Sequence, residues 1–149
     1  MLSQADLGLL LVTYKPGENL REILDSAYKS GIRHFFIVVE GLKTPTTERD
    51  KQKQIFVLSE LDNWKATRND CSVQLKRNLT NKGCSASILS GVDWISSEIE
   101  NSCVLEDDCI PSSDFFPYVR DALNVVEKNP KVLLVSGNQF VPALITGNR

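Results

Sequence analysis

The feature that most constrains this chain is an alternation of short, unbroken apolar runs with longer segments whose apolar residues recur at helical spacing. Leu7 to Tyr14 reads LGLLLVTY and Phe35 to Val39 reads FFIVV. Runs without a polar residue at every second position are what strands covered on both faces look like. Lys15-Pro16-Gly17 ends the first run, and Glu18 opens a segment with Leu20, Ile23, Leu24, Ala27 and Tyr28 on one helical face. Gly31 then stands where a helix C-cap is expected. Thr44-Pro45-Thr46-Thr47 has the form of a helix entry, and Glu48 to Ala66 carries Val57, Leu61 and Trp64 at helical spacing. Cys71 to Leu75 is a short third strand. Ile88, Val92, Ile95 and Ile99 form the stripe of a third helix, and Cys103 to Leu105 is a fourth strand. Ser112 or Ser113 caps a fourth helix, with Phe115, Val119, Ala122, Leu123 and Val126 inward and Pro117 in its first turn. Val132 to Val135 reads as a fifth strand. The order predicts βαβ units building a mainly parallel α/β sheet with helices on both faces.

A chain of 149 residues is the length of one domain, and residues 1–149 are expected to form one. Lys plus Arg is 17 against 19 for Asp plus Glu, so no basic excess exists to displace counterions from a nucleic acid. No apolar stretch approaches the ~20 residues that cross a bilayer, and the first residues have no basic, apolar leader pattern. A cytoplasmic protein is expected. The cysteines fit that compartment. Cys71, Cys84, Cys103 and Cys109 form no C-x-x-C pair, and His34 is the sole histidine, so a zinc site is not indicated. All four are expected reduced. Asn78-Leu79-Thr80 matches a glycosylation sequon and is read as chance.

Ligands of open parallel sheets bind outside the carboxyl ends of the strands. The residues just past each run are therefore the ones that matter: Thr13-Tyr14, Glu40, Lys76-Arg77, Glu106-Asp107-Asp108 and Ser136-Gly137-Asn138. Among these the acidic triplet is the most informative. Adjacent carboxylates in a partly desolvated place repel one another unless something positive lies between them. Mg²⁺ or Mn²⁺ would serve, held by one or two carboxylates and the phosphates of a substrate. Alternation puts Glu106 and Asp108 on one side and Asp107 on the other, leaving a carboxylate for sugar hydroxyls. An acidic turn that only favours the following helix N-terminus is the plainer alternative. Lys76 and Arg77 offer positive charge for a phosphate, and Tyr14 offers a ring for a base, although each is also an ordinary rim residue.

Leu10-Leu11-Val12-Thr13-Tyr14 followed by Lys15-Pro16 and a helix resembles the opening of GT-A-fold glycosyltransferases of the family-2-like kind. Asn81-Lys82-Gly83-Cys84, Gly91-Val92-Asp93-Trp94, Val104-Leu105-Glu106-Asp107-Asp108-Cys109-Ile110-Pro111 and Asp114-Phe115-Phe116 continue the likeness in order, as does Val135-Ser136-Gly137-Asn138-Gln139-Phe140. The specific part covers residues 76 to 140. The resemblance implies a site for a nucleotide-diphospho-sugar, most simply a UDP-sugar, and a divalent cation, Mn²⁺ or Mg²⁺. It places Glu106-Asp107-Asp108 at the family's Asp-x-Asp motif, with Asp108 as the direct metal ligand and Glu106 beside it. It places Thr13, Tyr14 and Glu40 around the nucleotide, although the family more often has Asp at the last position, and Arg77 near the diphosphate or base.

The family's acceptor-binding half, with the carboxylate base of inverting members, has no counterpart by residue 149. No catalytic base is assigned, and the acceptor stays unnamed. The expected function is sugar transfer from the nucleotide donor; the alternative is a non-catalytic nucleotide-sugar-binding or subunit-interaction domain. A sugar nucleotidyltransferase would carry a Gly-rich basic loop after the first strand, where this chain has Thr-Tyr-Lys-Pro-Gly-Glu. A phospho-acceptor receiver domain would carry its acidic pair there, and Leu9 to Lys15 has no acid. Apolar residues from Phe140 to Ile145 point to self-association through the C-terminal region.

Overall fold

The computed structural model describes residues 7–14, 19–126, 128–129, 131–132 and 134–137. Along them strands and helices alternate as β1 (Leu7–Thr13), α1 (Leu20–Lys29), β2 (His34–Val39), α2 (Glu48–Ala66), β3 (Ser72–Arg77), α3 (Cys84–Ser96), β4 (Asn101–Glu106) and α4 (Phe115–Val126). The four strands are parallel and lie in the order β3-β2-β1-β4. The α/β class read from the alternation is therefore the one observed. The two unbroken apolar runs are the two central strands, and every residue of β1 is buried.

Side-chain alternation divides the core in two. On one face Leu7, Leu9, Leu11, Phe35, Ile37 and Val39 pack against α1, α2 and Phe116 of α4. On the other, Leu10, Val12, Phe36 and Val38 pack against Ile95 of α3, with Ile88, Val92 and Ile99 around them. Close seating of α3 depends on Gly91. A Cβ there would lie 2.9 Å from Leu10 Cδ2, so a larger residue would require the buried Leu10 side chain or the helix to shift.

α2 starts where the threonines suggested. Thr47 accepts from the Asp50 N–H at 3.1 Å while Asp50 accepts from the Thr47 N–H at 3.4 Å, a reciprocal cap. Its far end is fixed by Trp64, which is fully buried, meets Phe35 edge-on at 4.9 Å between ring centres, and donates from Nε1 to Asp25 of α1 at 2.8 Å. Arg68 closes the same corner through Asp25 and stacks 4.3 Å over the indole.

Three sequence expectations shift. Lys76 and Arg77, read as lying past the third strand, are its last two residues, and Arg77 pairs with Val39. Glu106 likewise ends β4 rather than following it, opposite Val12. Both are outer strands among the described residues, where one side of the backbone has no described strand partner and charged side chains are tolerated. No fifth strand is found among the described residues: Val132, Leu134 and Val135 are not strand, the Val132 N–H bonds to the Asn129 carbonyl, and Leu134 is 87% exposed. A four-residue apolar run is too short to fix a strand by itself. Phe140 to Ile145, where self-association was expected, lies outside the described residues.

Replacing Trp64 by alanine should cost about 3–5 kcal/mol of unfolding free energy, measured by urea denaturation, because it empties the joint between α1, α2 and β2. A loss below about 1 kcal/mol would mean that this corner does not hold the helical layer to the sheet.

Candidate functional site

The carboxyl ends of the four strands form one rim. Thr13 is level with Val39 on β2, Val39 is level with Arg77 on β3, and Val12 is level with Glu106 on β4. At ~4.8 Å per strand, the backbone of Arg77 lies on the order of 14 Å from that of Glu106. Thr13, Tyr14, Glu40, Arg77 and Glu106-Asp107-Asp108 lie along this rim and fall into two groups; Ser136 and Gly137 follow no described strand, and Asn138 lies outside the described residues.

The first group sits where β1 meets β4. Asp107 Oδ2 accepts from Thr13 Oγ1 at 2.6 Å and from the Tyr14 N–H at 3.1 Å, joining the two strand ends. Glu106 and Asp107 fall on opposite faces, as alternation required: Glu106 reaches toward α3 and accepts the Cys84 thiol at 3.1 Å. Asp108 is exposed and accepts the Cys109 thiol at 3.3 Å. Tyr14 is half-buried. Its hydroxyl accepts from the Lys43 N–H at 3.3 Å, and Lys43 Nζ stands 5.6 Å from its ring centre.

The three neighbouring carboxylates are thus treated differently. Asp107 has two good donors, yet burial pushes its carboxyl up, with the Thr13 and Tyr14 hydrogen bonds opposing and the Asp108 charge adding. For Glu106 and Asp108 the side-chain donors among the described residues are thiols, which are weak donors, and no Lys or Arg pairs with either. No three metal-ligating side chains gather at one point among the described residues. A site built on these two carboxylates would need a cation that accepts one or two protein carboxylates and takes its other oxygens from substrate and water.

The second group, Glu40 and Arg77, sits where β2 meets β3. Glu40 is 2% exposed and its carboxylate faces inward. Oε1 accepts from the N–H groups of Gly41 at 2.8 Å and Lys82 at 2.9 Å and from Asn78 Nδ2 at 3.4 Å, while Oε2 accepts from Ser87 Oγ. Arg77 Nη2 donates to Gln54 Oε1 at 2.8 Å, and Gln54 Nε2 donates to the Glu40 carbonyl at 3.0 Å. Lys76 leaves the rim to stack over Trp94, 4.6 Å from its ring.

Gln54, Asn78, Ser87 and Cys84 were not picked out from the sequence. The signal for Ser87 was present, since Ser87 and Gly91 are small residues four apart on the side of α3 that presses on the sheet. Asn78 was noticed only as part of a sequon. Its side chain is buried and donates to Glu40 and Ser87, which agrees with the reading that the sequon is chance.

All four cysteines are free, as expected. Each thiol is held protonated by its surroundings. Burial pushes Cys103 up to about 12 and raises Cys71; Cys109 is raised by burial and then by Asp108. Cys84 is raised first by its hydrogen bond to Glu106, then by burial and the charges of Glu106, Asp108 and Glu40.

No family model matches the chain, and neither curated proteins nor solved structures give a match of significance.

Two outcomes follow from these charges. A carboxyl raised in the folded state binds its proton more readily there than in the unfolded chain. The stabilisation from protonating Asp107 is therefore complete below the ordinary carboxylate range and lost as pH rises through the raised folded value. Asp107→Asn keeps an acceptor for Thr13 and Tyr14 without the charge. Its melting temperature relative to wild type should rise between about pH 4 and about pH 7; a difference that falls over that range would contradict the assignment. Glu106→Gln should make alkylation of Cys84 by iodoacetamide several-fold faster at neutral pH, read by peptide mass mapping. An unchanged rate would show that Glu106 does not hold the thiol proton.

Proposed function

We propose that this chain is the donor-binding part of a GT-A-like nucleotide-diphospho-sugar transferase, taking the nucleotide-sugar together with Mn²⁺ or Mg²⁺. One observation carries the reading. At the carboxyl end of β4, beside β1, Glu106 and Asp108 are met by thiol donors alone among the described residues, while Asp107 between them is fastened to the strand. Two carboxylates without a cationic partner among the described residues are suited to a hard divalent cation that shares its coordination with phosphate oxygens. The strand-end location is where open parallel sheets place their ligands, and the order of motifs from residue 76 to 140 agrees with that family.

In this reading Asp108 and Glu106 hold the cation. When bound, the cation supplies positive charge against the diphosphate that leaves as the glycosidic bond breaks. Thr13 and Asp107 fix the floor between the two strands, Tyr14 offers its ring to the base of a UDP-sugar, and Arg77 offers its guanidinium to the phosphate or base at the far end. A cytoplasmic location belongs to the same reading; four free cysteines accord with it, and among the described residues no helix is long and apolar enough to cross a membrane.

Calorimetry with UDP tests the site. Binding should require Mn²⁺ or Mg²⁺, and Asp108→Ala should weaken it at least ~tenfold, about 1.4 kcal/mol. Binding that is indifferent to a chelator, or no binding at all, would overturn the reading. Release of UDP from a UDP-sugar, with and without added sugar acceptors, then separates a transferase from a domain that only binds.

A further inference from the structure

Glu40 is the one acidic residue of the rim whose carboxylate is turned wholly into the protein. A buried carboxylate is costly unless protein donors meet its oxygens, and here four do. Gly41 is its chain neighbour; the other three donors, the Lys82 N–H, Asn78 Nδ2 and Ser87 Oγ, belong to the connection from β3 into α3 and the first turn of that helix. Asn81 Nδ2 adds a fourth hold on that connection, donating to the Gly41 carbonyl at 2.8 Å. Gly41 is where the two connections touch. A Cβ there would stand 2.3 Å from the Thr80 carbonyl carbon, so only glycine lets residues 78–83 lie on the end of β2. The grip extends in both directions along the rim. Ser87 is one helical turn from Cys84, whose thiol meets Glu106. On the other side the Glu40 carbonyl holds Gln54, and Gln54 holds Arg77.

We infer that Glu40 is a positioning residue and not a ligand contact: its carboxylate latches the segment 78–87 onto the end of β2, and through it sets the start of α3 over Glu106. The functional part of this inference rests on the proposed donor site; the latch itself does not.

Amide hydrogen exchange by mass spectrometry, on the full chain, reads the latch directly, and calorimetry with Mn²⁺ and UDP reads its consequence. Glu40→Ala should speed exchange in peptides spanning 78–90 at least ~tenfold while peptides of β1 and β4 stay as in wild type. Affinity for Mn²⁺ and UDP should fall with it. Glu40→Gln should recover most of both, because its amide oxygen still accepts the two backbone N–H groups and its NH₂ can donate to Ser87 Oγ. Unchanged exchange at 78–90 in Glu40→Ala would overturn the latch. Wild-type exchange with lost affinity in Glu40→Gln would overturn the positioning role in favour of direct contact. Should Glu40→Ala lose protection throughout the chain, Ser87→Ala decides: it removes one donor, and faster exchange confined to 78–90 supports the latch, whereas none contradicts it. A wild-type chain that does not bind Mn²⁺ and UDP would refute the donor site and the functional coupling together, and the exchange result would still stand for or against the latch.

Discussion

Burial of β1 and β2 on both faces leaves the polar chemistry of this chain few places to go. Neither strand can carry a polar side chain along its length without stranding it in one of the two cores, so polar groups collect where the strands end. The buried polar side chains among the described residues are Thr13, Glu40, Gln54, Asn78 and Ser87. All five belong to the carboxyl rim, and all five are hydrogen-bonded to one another or to Asp107. Thr13 joins the two halves, accepting the Glu40 N–H on its carbonyl at 2.7 Å and donating its hydroxyl to Asp107. The rim is thus a connected polar layer resting on an apolar sheet, and a displacement at one strand end has a bonded route to its neighbours.

Within that layer the acids have separate fates because of where alternation points them. Glu40 is buried and fully met, so its charge is spent on holding the chain together. Asp107 faces the β1 side and is pinned by Thr13 and Tyr14. Glu106 and Asp108 keep only thiols for company among the described residues and so hold unspent charge at the protein surface. The neighbouring thiols are pushed toward the protonated form, Cys84 first by its hydrogen bond to Glu106, and Cys109 first by burial and then by Asp108. A divalent cation with a diphosphate is the chemical species that this uneven distribution suits best, and that pairing carries the functional proposal.

How much of this could be read from residues alone follows from how local each signal was. β1 and β2 are legible because two-sided burial writes itself as an unbroken apolar run, and the start of α2 because Thr47 and Asp50 cap it within one turn. β3 and β4 lie at the outside of the sheet, and their ends are polar; the reading stopped them short at Leu75 and Leu105 for that reason. The role of Glu40 was not legible. Its donors are 38 to 47 positions away in the chain, except for Gly41, and nothing in the local sequence says that a glutamate after an apolar run turns inward. The Val132 to Val135 run shows the opposite error: apolar character suggested a strand, and Val132, Leu134 and Val135 join no ladder among the described residues.

The central claim, that Glu106 and Asp108 form a cation and diphosphate site, is tested most directly by a crystal structure of the chain grown with Mn²⁺ and UDP, using the anomalous signal of manganese. The account predicts a manganese peak within about 2.0–2.3 Å of carboxylate oxygens from Asp108 and Glu106, with diphosphate oxygens completing its shell and Glu40 still turned inward. A peak elsewhere on the molecule, or ordered UDP with no metal at those two residues, would contradict it.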